Sequence, residues 1–137
     1  MIKILAFDLD GTLLDRIDLI VEVPALDYEE LKRRAPAESS AAIRERVNAA
    51  RERQRARFTD KALCNARMQG KDLRQYCAPD AEGDALMKAA FDTMNLSARS
   101  YDRILRVART IADLEGADTI RADHIAEAIQ YRTYELS

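Results

Sequence analysis

Hydrophobic positions along this chain recur with helical spacing through most of its length. From Leu96 to Leu114, Tyr101, Ile104, Leu105, Ala108, Ile111 and Ala112 fall together at about 100° per residue, while Arg99, Arg103 and Arg106 gather on the opposite side. One side of this helix can pack and the other can hold an anion; the same pattern also describes a solvated arginine face. Gly116 is positioned to stop it. A second long helix is predicted from a Ser39 or Ser40 cap to about Phe58, with Ile43, Val47, Ala50, Gln54 and Phe58 along one side. A third, over about Ala81 to Met94, brings Leu86, Ala89, Ala90 and Met94 together. The last carries Ile125, Ala128, Ile129 and Arg132. Glu29 to Arg34 reads as a short turn ended before Pro36. Residues 59–80, with Gly70 and Pro79, read as the main loop, with one helical turn around Lys71 to Tyr76. Period-two character is confined to the N-terminus, where Ile2–Phe7 and Ile17–Val23 could pair as strands around a loop containing Gly11. The expected fold is mainly α, a helical bundle preceded by one or two short β-strands. Residues 1–24 form a strand-loop-strand segment and residues 25–137 the helical domain.

Composition narrows the possibilities further. The 137 residues are 47% hydrophobic and 34% charged, with a net charge of −2, as expected of one helix-rich globular domain. No apolar run approaches a membrane span and the N-terminus lacks the features of a secretory signal, so a cytoplasmic protein without membrane association is expected. The two cysteines, Cys64 and Cys77, are too far apart for a metal-binding pair and are expected to be reduced thiols. His124, the one histidine, reads as a packing or capping residue, and no metal site is expected. Between Arg44 and Arg57, six arginines stand against two glutamates, a net +4 that could touch a phosphate backbone. Acidic neighbours such as Glu45 and Glu52, the few aromatic residues and the overall charge favour a solvated face.

Several segments resemble a known family in its order: Leu13-Leu14-Asp15-Arg16-Ile17-Asp18-Leu19, Ala50-Arg51-Glu52-Arg53-Gln54-Arg55, Asn65-Ala66, Leu96-Ser97-Ala98-Arg99, Ala108-Arg109-Thr110-Ile111-Ala112-Asp113-Leu114 and His124 to Arg132. On these, residues 13–137 resemble the C-terminal domain of magnesium-chelatase-related AAA+ ATPases of the ComM/YifB competence-protein type. The resemblance implies a lid-type helical bundle over a nucleotide held by a preceding α/β module. It implies that Arg99 occupies the sensor-2 position, where a lid arginine reaches the γ-phosphate. A guanidinium suits this task because its fixed fork pairs with phosphate oxygens and keeps its charge. Arg16 would match the arginine finger that one subunit offers its neighbour. The implied cofactors are ATP and Mg²⁺ in the parent ATPase, with none expected for this chain alone. The implied partners are the AAA+ nucleotide-binding module and neighbouring subunits of a homo-oligomeric ring, with DNA reached through a parent motor acting in recombination or natural transformation. No G-x-x-x-x-G-K-[ST] loop occurs, so the chain by itself is expected not to hydrolyse ATP.

Residues 1–12 resemble something else. Asp8-Leu9-Asp10-Gly11-Thr12 after an apolar strand is similar to the first motif of haloacid-dehalogenase-type phosphohydrolases. There the first aspartate attacks phosphorus and the second exchanges protons with the leaving group, both near Mg²⁺. Gly11-Thr12 also stands where the AAA+ family would carry glycine-proline, so a junction is expected near residues 12–15, from a graft, a gene fusion, an artefact or a misjoined gene model. A small Mg²⁺-dependent phosphohydrolase using Asp8 and Asp10 is therefore one alternative, and a free-standing helical module binding DNA or protein is another. The phosphohydrolase would need a parallel sheet with further motifs downstream, and no period-two alternation follows Pro24.

Overall fold

The computed structural model describes residues 3–7, 19–25, 27–33, 37–60 and 62–132. Among them, Lys3–Phe7 (β1) and Leu19–Val23 (β2) form a two-stranded antiparallel sheet in which Lys3 faces Val23 and Phe7 faces Leu19. The helices are Tyr28–Lys32 (α1), Ser40–Arg57 (α2), Lys71–Tyr76 (α3), Ala81–Met94 (α4), Ala98–Glu115 (α5) and Ala122–Gln130 (α6), with a 3₁₀ turn at Asn65–Arg67. None is long and apolar enough to cross a membrane. Side-chain caps fix several starts: Ser39 accepts from the Ala42 N–H, Asp80 from Gly83 and Ser97 from Ser100. Asp27 and Glu30 make a reciprocal capping box that sharpens the expected turn into α1. Gly116 ends α5 in the left-handed region, φ 80°, where glycine carries no Cβ penalty.

Helix α5 is the spine. Ile104, Leu105, Ala108 and Ala112 are buried, with Tyr101 and Ile111 half-buried beside them. They meet Met87 from α4, Ile125 and Ala128 from α6, Ile120, and Phe58 just beyond α2. The face assigned to α4 needs correction. Gly83, Met87 and Ala90 point into the core, whereas Ala89 and Met94 are exposed and Leu86 is half-buried. The rotation follows from Gly83. A Cβ there would meet Pro79 Cβ at 2.9 Å and the Ala122 backbone nitrogen at 3.4 Å, so the bare backbone lets α4 approach the start of α6. The Asp80 N–H donates to Ile120 O at 2.8 Å and closes that corner.

Residues 59–80 carry α3 over Lys71–Tyr76, where the helical turn was expected, and the segment contributes to the core: Asn65 is buried, as are the apolar Met68, Leu73 and Cys77. These apolar residues follow neither helical nor strand spacing, so periodicity does not register them. In α2, the expected apolar stripe is buried at Ala50 and, at its end, Phe58, whereas Ile43 is 42% exposed. Polar bonds near the C-terminal end of α2 add to this hold, as described below.

The two thiols differ in surroundings. Cys77 is fully buried and burial pushes its thiol up to about 11, whereas Cys64 is half-buried at the wall of a cleft. Thiolate is the reacting form, so at pH ~8 a thiol reagent should label Cys64 and leave Cys77 untouched until the protein unfolds. Equal labelling of both in the folded state, read by mass spectrometry, would contradict this placement. The folded state favours protonated Cys77, so its contribution to stability is complete below the ordinary thiol value of 9.0 and declines as pH rises toward about 11.

Candidate anion-binding site

A cleft of about 1070 Å³ lies along the side of α5 that carries the arginines. Arg99, Arg103 and Arg106 line it at i, i+4 and i+7, followed by Val107, Ile111 and Leu114. Opposite them stand Leu19 and Val21 of β2, and β2 is fastened to the end of α6 by the Ile20 N–H donating to Tyr131 O at 2.9 Å. The reading of this arginine side as a solvated face is therefore corrected. Arg103 is 6% exposed and Arg106 is half-buried, because β2 and the 64–69 segment wall them in.

Arg99 sits in the first turn of α5, two residues after the Ser97 cap, exposed at the cleft. Arg67, from the 3₁₀ turn, lines the same cleft, and neither has an ion-pair partner among the described residues. Arg106 donates from Nε to Met68 O at 2.8 Å, which ties α5 to the segment carrying Arg67. Asp102 is the acid on this part of the wall. Arg16, Asp8 and Asp10, the other candidates from the sequence, lie outside the described residues.

At the far end of α5, Glu115, Asp123 and His124 bring three potential metal-ligating atoms within 4.8 Å of one another. Their hydrogen bonding argues against a metal. The Arg121 backbone N–H donates to His124 Nδ1 at 3.0 Å, so the neutral ring carries its proton on Nε2, which faces the Glu115 carboxylate. A metal at Nε2 would need a lone pair that this proton occupies. The Arg121 guanidinium meanwhile bonds Glu115 at 2.9 Å and Asp123 at 3.0 Å. Glu115 is held below the usual carboxylate range by the His124 and then the Arg121 hydrogen bonds, and Asp123 by that of Arg121. The cluster is a clasp between α5 and α6, with buried His124 as a cap.

A buried polar network centred on Asp113 escaped the sequence reading. Asp113 is 1% exposed and receives Arg57 in a two-pronged pair, at 2.6 and 2.9 Å, with the Asn65 amide at 2.8 Å. Arg109, one turn earlier on α5, reaches the same carboxylate at 3.2 Å and donates to Ala117 O and Asp118 O. Burial lowers the Arg109 pKa, and Asp113 opposes the shift. The network joins α2, the 3₁₀ turn and α5, and so fixes the backbone beside Arg67. Apolar residues around Arg109 and Asp113 at i, i+4 were the available signal, since an ion pair inside a packed face needs a reason to be there.

The arginine-rich stretch 44–57 is largely spoken for. Arg46 pairs with Glu38, Arg53 with Asp118, Arg55 with Glu52 and Arg57 with Asp113. Two of these acids are far away in sequence, so the neutralisation is only partly the local one expected from Glu45 and Glu52.

An α5-centred helical domain with a terminal arginine cleft has clear relatives. Residues 37–132 match the family of the magnesium chelatase subunit ChlI C-terminal domain, and the chain belongs to that family. It is 38% identical over 128 residues to the uncharacterized protein YifB of Escherichia coli strain K12, covering 93% of this chain and 25% of that protein. YifB of Salmonella typhimurium is 41% identical over 128 residues, with the same coverage. Competence protein ComM of Haemophilus influenzae is 39% identical over 125 residues, 90% of this chain and 24% of that protein. The chain thus spans about a quarter of the length of these relatives.

Proposed function

We propose that this chain acts as the nucleotide-sensing lid of a magnesium-chelatase-like AAA+ ATPase, with Arg99 reading the terminal phosphate of ATP held by a separate α/β module. The observation that carries the reading is Arg99 itself. It stands in the Leu-Ser-Ala-Arg sequence, on the first turn of a helix whose other face is the core, exposed and without a carboxylate partner among the described residues. A guanidinium fixed in this way can form two parallel bonds to phosphate oxygens without first leaving an ion pair. Mg²⁺ and the phosphate-cradling backbone belong to the other module, so the lid alone carries no ATPase activity. Arg16 would serve the neighbouring subunit of a homo-oligomeric ring, and DNA would be reached through the assembled machine.

The test joins this chain to the nucleotide-binding module of a YifB or ComM relative and measures ATP turnover. Hydrogen bonds to a charged group contribute ~1.5–3 kcal/mol, so Arg99→Ala should slow turnover ~10- to 100-fold. A rate within about twofold of the unsubstituted fusion would remove the sensor assignment.

A further inference from the structure

We infer that Arg67 and Arg106 form, together with Arg99, a phosphate-chain site within this domain, so that the lid holds a polyphosphate through an array of guanidinium groups. The array is built from two elements. Arg99 and Arg106 lie on one side of α5 about 10 Å apart along its axis, and Arg67 enters from the 3₁₀ turn. Its placement is enforced: Asn65, two residues earlier, is held by Asp113 and by Gln54, whose Oε1 accepts the Asn65 N–H at 3.0 Å. Met68, one residue later, is held by Arg106. Among the described residues the Arg106 side chain hydrogen-bonds through Nε alone, and the residue lines the cleft.

Charge pairing separates these arginines from the rest. Arg46, Arg53, Arg55, Arg57, Arg109 and Arg121 all have carboxylate partners. Arg67, Arg99 and Arg106 have none among the described residues and share one cleft. Arg44, exposed on α2, has no carboxylate partner among the described residues and lies outside this cleft. Asp102 and Glu127 also line the cleft, Glu127 accepting from the Tyr131 hydroxyl at 2.9 Å, and the Glu115 and Asp123 carboxylates are already paired with Arg121. Three forked donors spread along two turns match a chain of phosphates better than a single one. The proposal deepens the lid reading and rests on it only for the source of the anion.

The experiment titrates the whole chain with sodium tripolyphosphate by calorimetry, in the absence of Mg²⁺. A Kd of about 1 mM or tighter is expected, weakened about fivefold or more by Arg67→Ala and by Arg106→Ala and unchanged by Arg44→Ala. Arg67→Ala is the cleaner variant because the side chain is exposed, and an unaltered circular dichroism spectrum verifies the fold. Absence of saturable heat, or equal weakening by Arg44→Ala and Arg67→Ala, overturns the proposal. ATP binding with the same dependence on Arg67 makes a nucleoside triphosphate the source, and tripolyphosphate binding without ATP binding makes it free polyphosphate. Tripolyphosphate binding that survives a silent Arg99→Ala in the ATPase fusion would remove the sensor assignment and leave the phosphate-chain site standing.

Discussion

Asp113→Ala should destabilise the domain by about 3–5 kcal/mol, because it strips a shared carboxylate from two largely buried arginines. The Arg57 side chain is 11% exposed and that of Arg109 4%, so neither can swing out to be solvated in the folded protein. With Asp113 gone, the two guanidinium groups face each other, and the Asn65 amide loses one of its two acceptors, keeping only Thr110 Oγ1. The native state must then tolerate repulsion, admit water or release α2. Total stabilities of domains this size are ~5–15 kcal/mol, so such a loss approaches the whole margin at the lower end. Urea unfolding followed by circular dichroism measures it. Asp113→Asn, which keeps an acceptor oxygen without the charge, should fall between the two. A loss below about 1 kcal/mol for Asp113→Ala would show that the pairs do not hold α2 to α5.

Ile104→Ala should cost about 2–5 kcal/mol, and Ile43→Ala less than about 0.5. Ile104 is wholly buried in the middle of α5 against residues of the central cluster, so truncation removes apolar burial and leaves a void that rigid neighbours fill only in part. Ile43, on the first turn of α2, is 42% exposed and sits outside that cluster. The two isoleucines have the same composition and each lies on an apolar stripe in the sequence, so the contrast isolates tertiary burial. Comparable losses for both, in the same urea experiment, would mean that α2 packs through its apolar stripe after all.

The helix from Ala98 to Glu115 was legible because two signals agreed over many residues: an unbroken apolar period and a terminal glycine. A serine cap and an apolar period located α2, and the period alone located α4. These signals did not locate their inward faces. For α4 the inward side is set by the absence of a side chain at Gly83, and a hydrophobic count cannot see an absence. Arg99 was legible as a sensor candidate through the Leu-Ser-Ala-Arg resemblance. Arg67 was not, because it joins the site only when the 59–80 segment folds onto α5 through Asn65 and Met68.

Helix positions, caps and the choice of a mainly helical fold were settled by local chemistry along the chain, since capping bonds and 3.6-residue amphipathicity involve neighbours a few positions apart. Which arginines are spent and which are free was settled only by folding. Arg57 meets Asp113 and Arg53 meets Asp118 across more than fifty residues, whereas Arg67 and Arg106 line one cleft without a carboxylate partner among the described residues. Charge pairing depends on distance in space, and spacing along the chain carries almost no information about it.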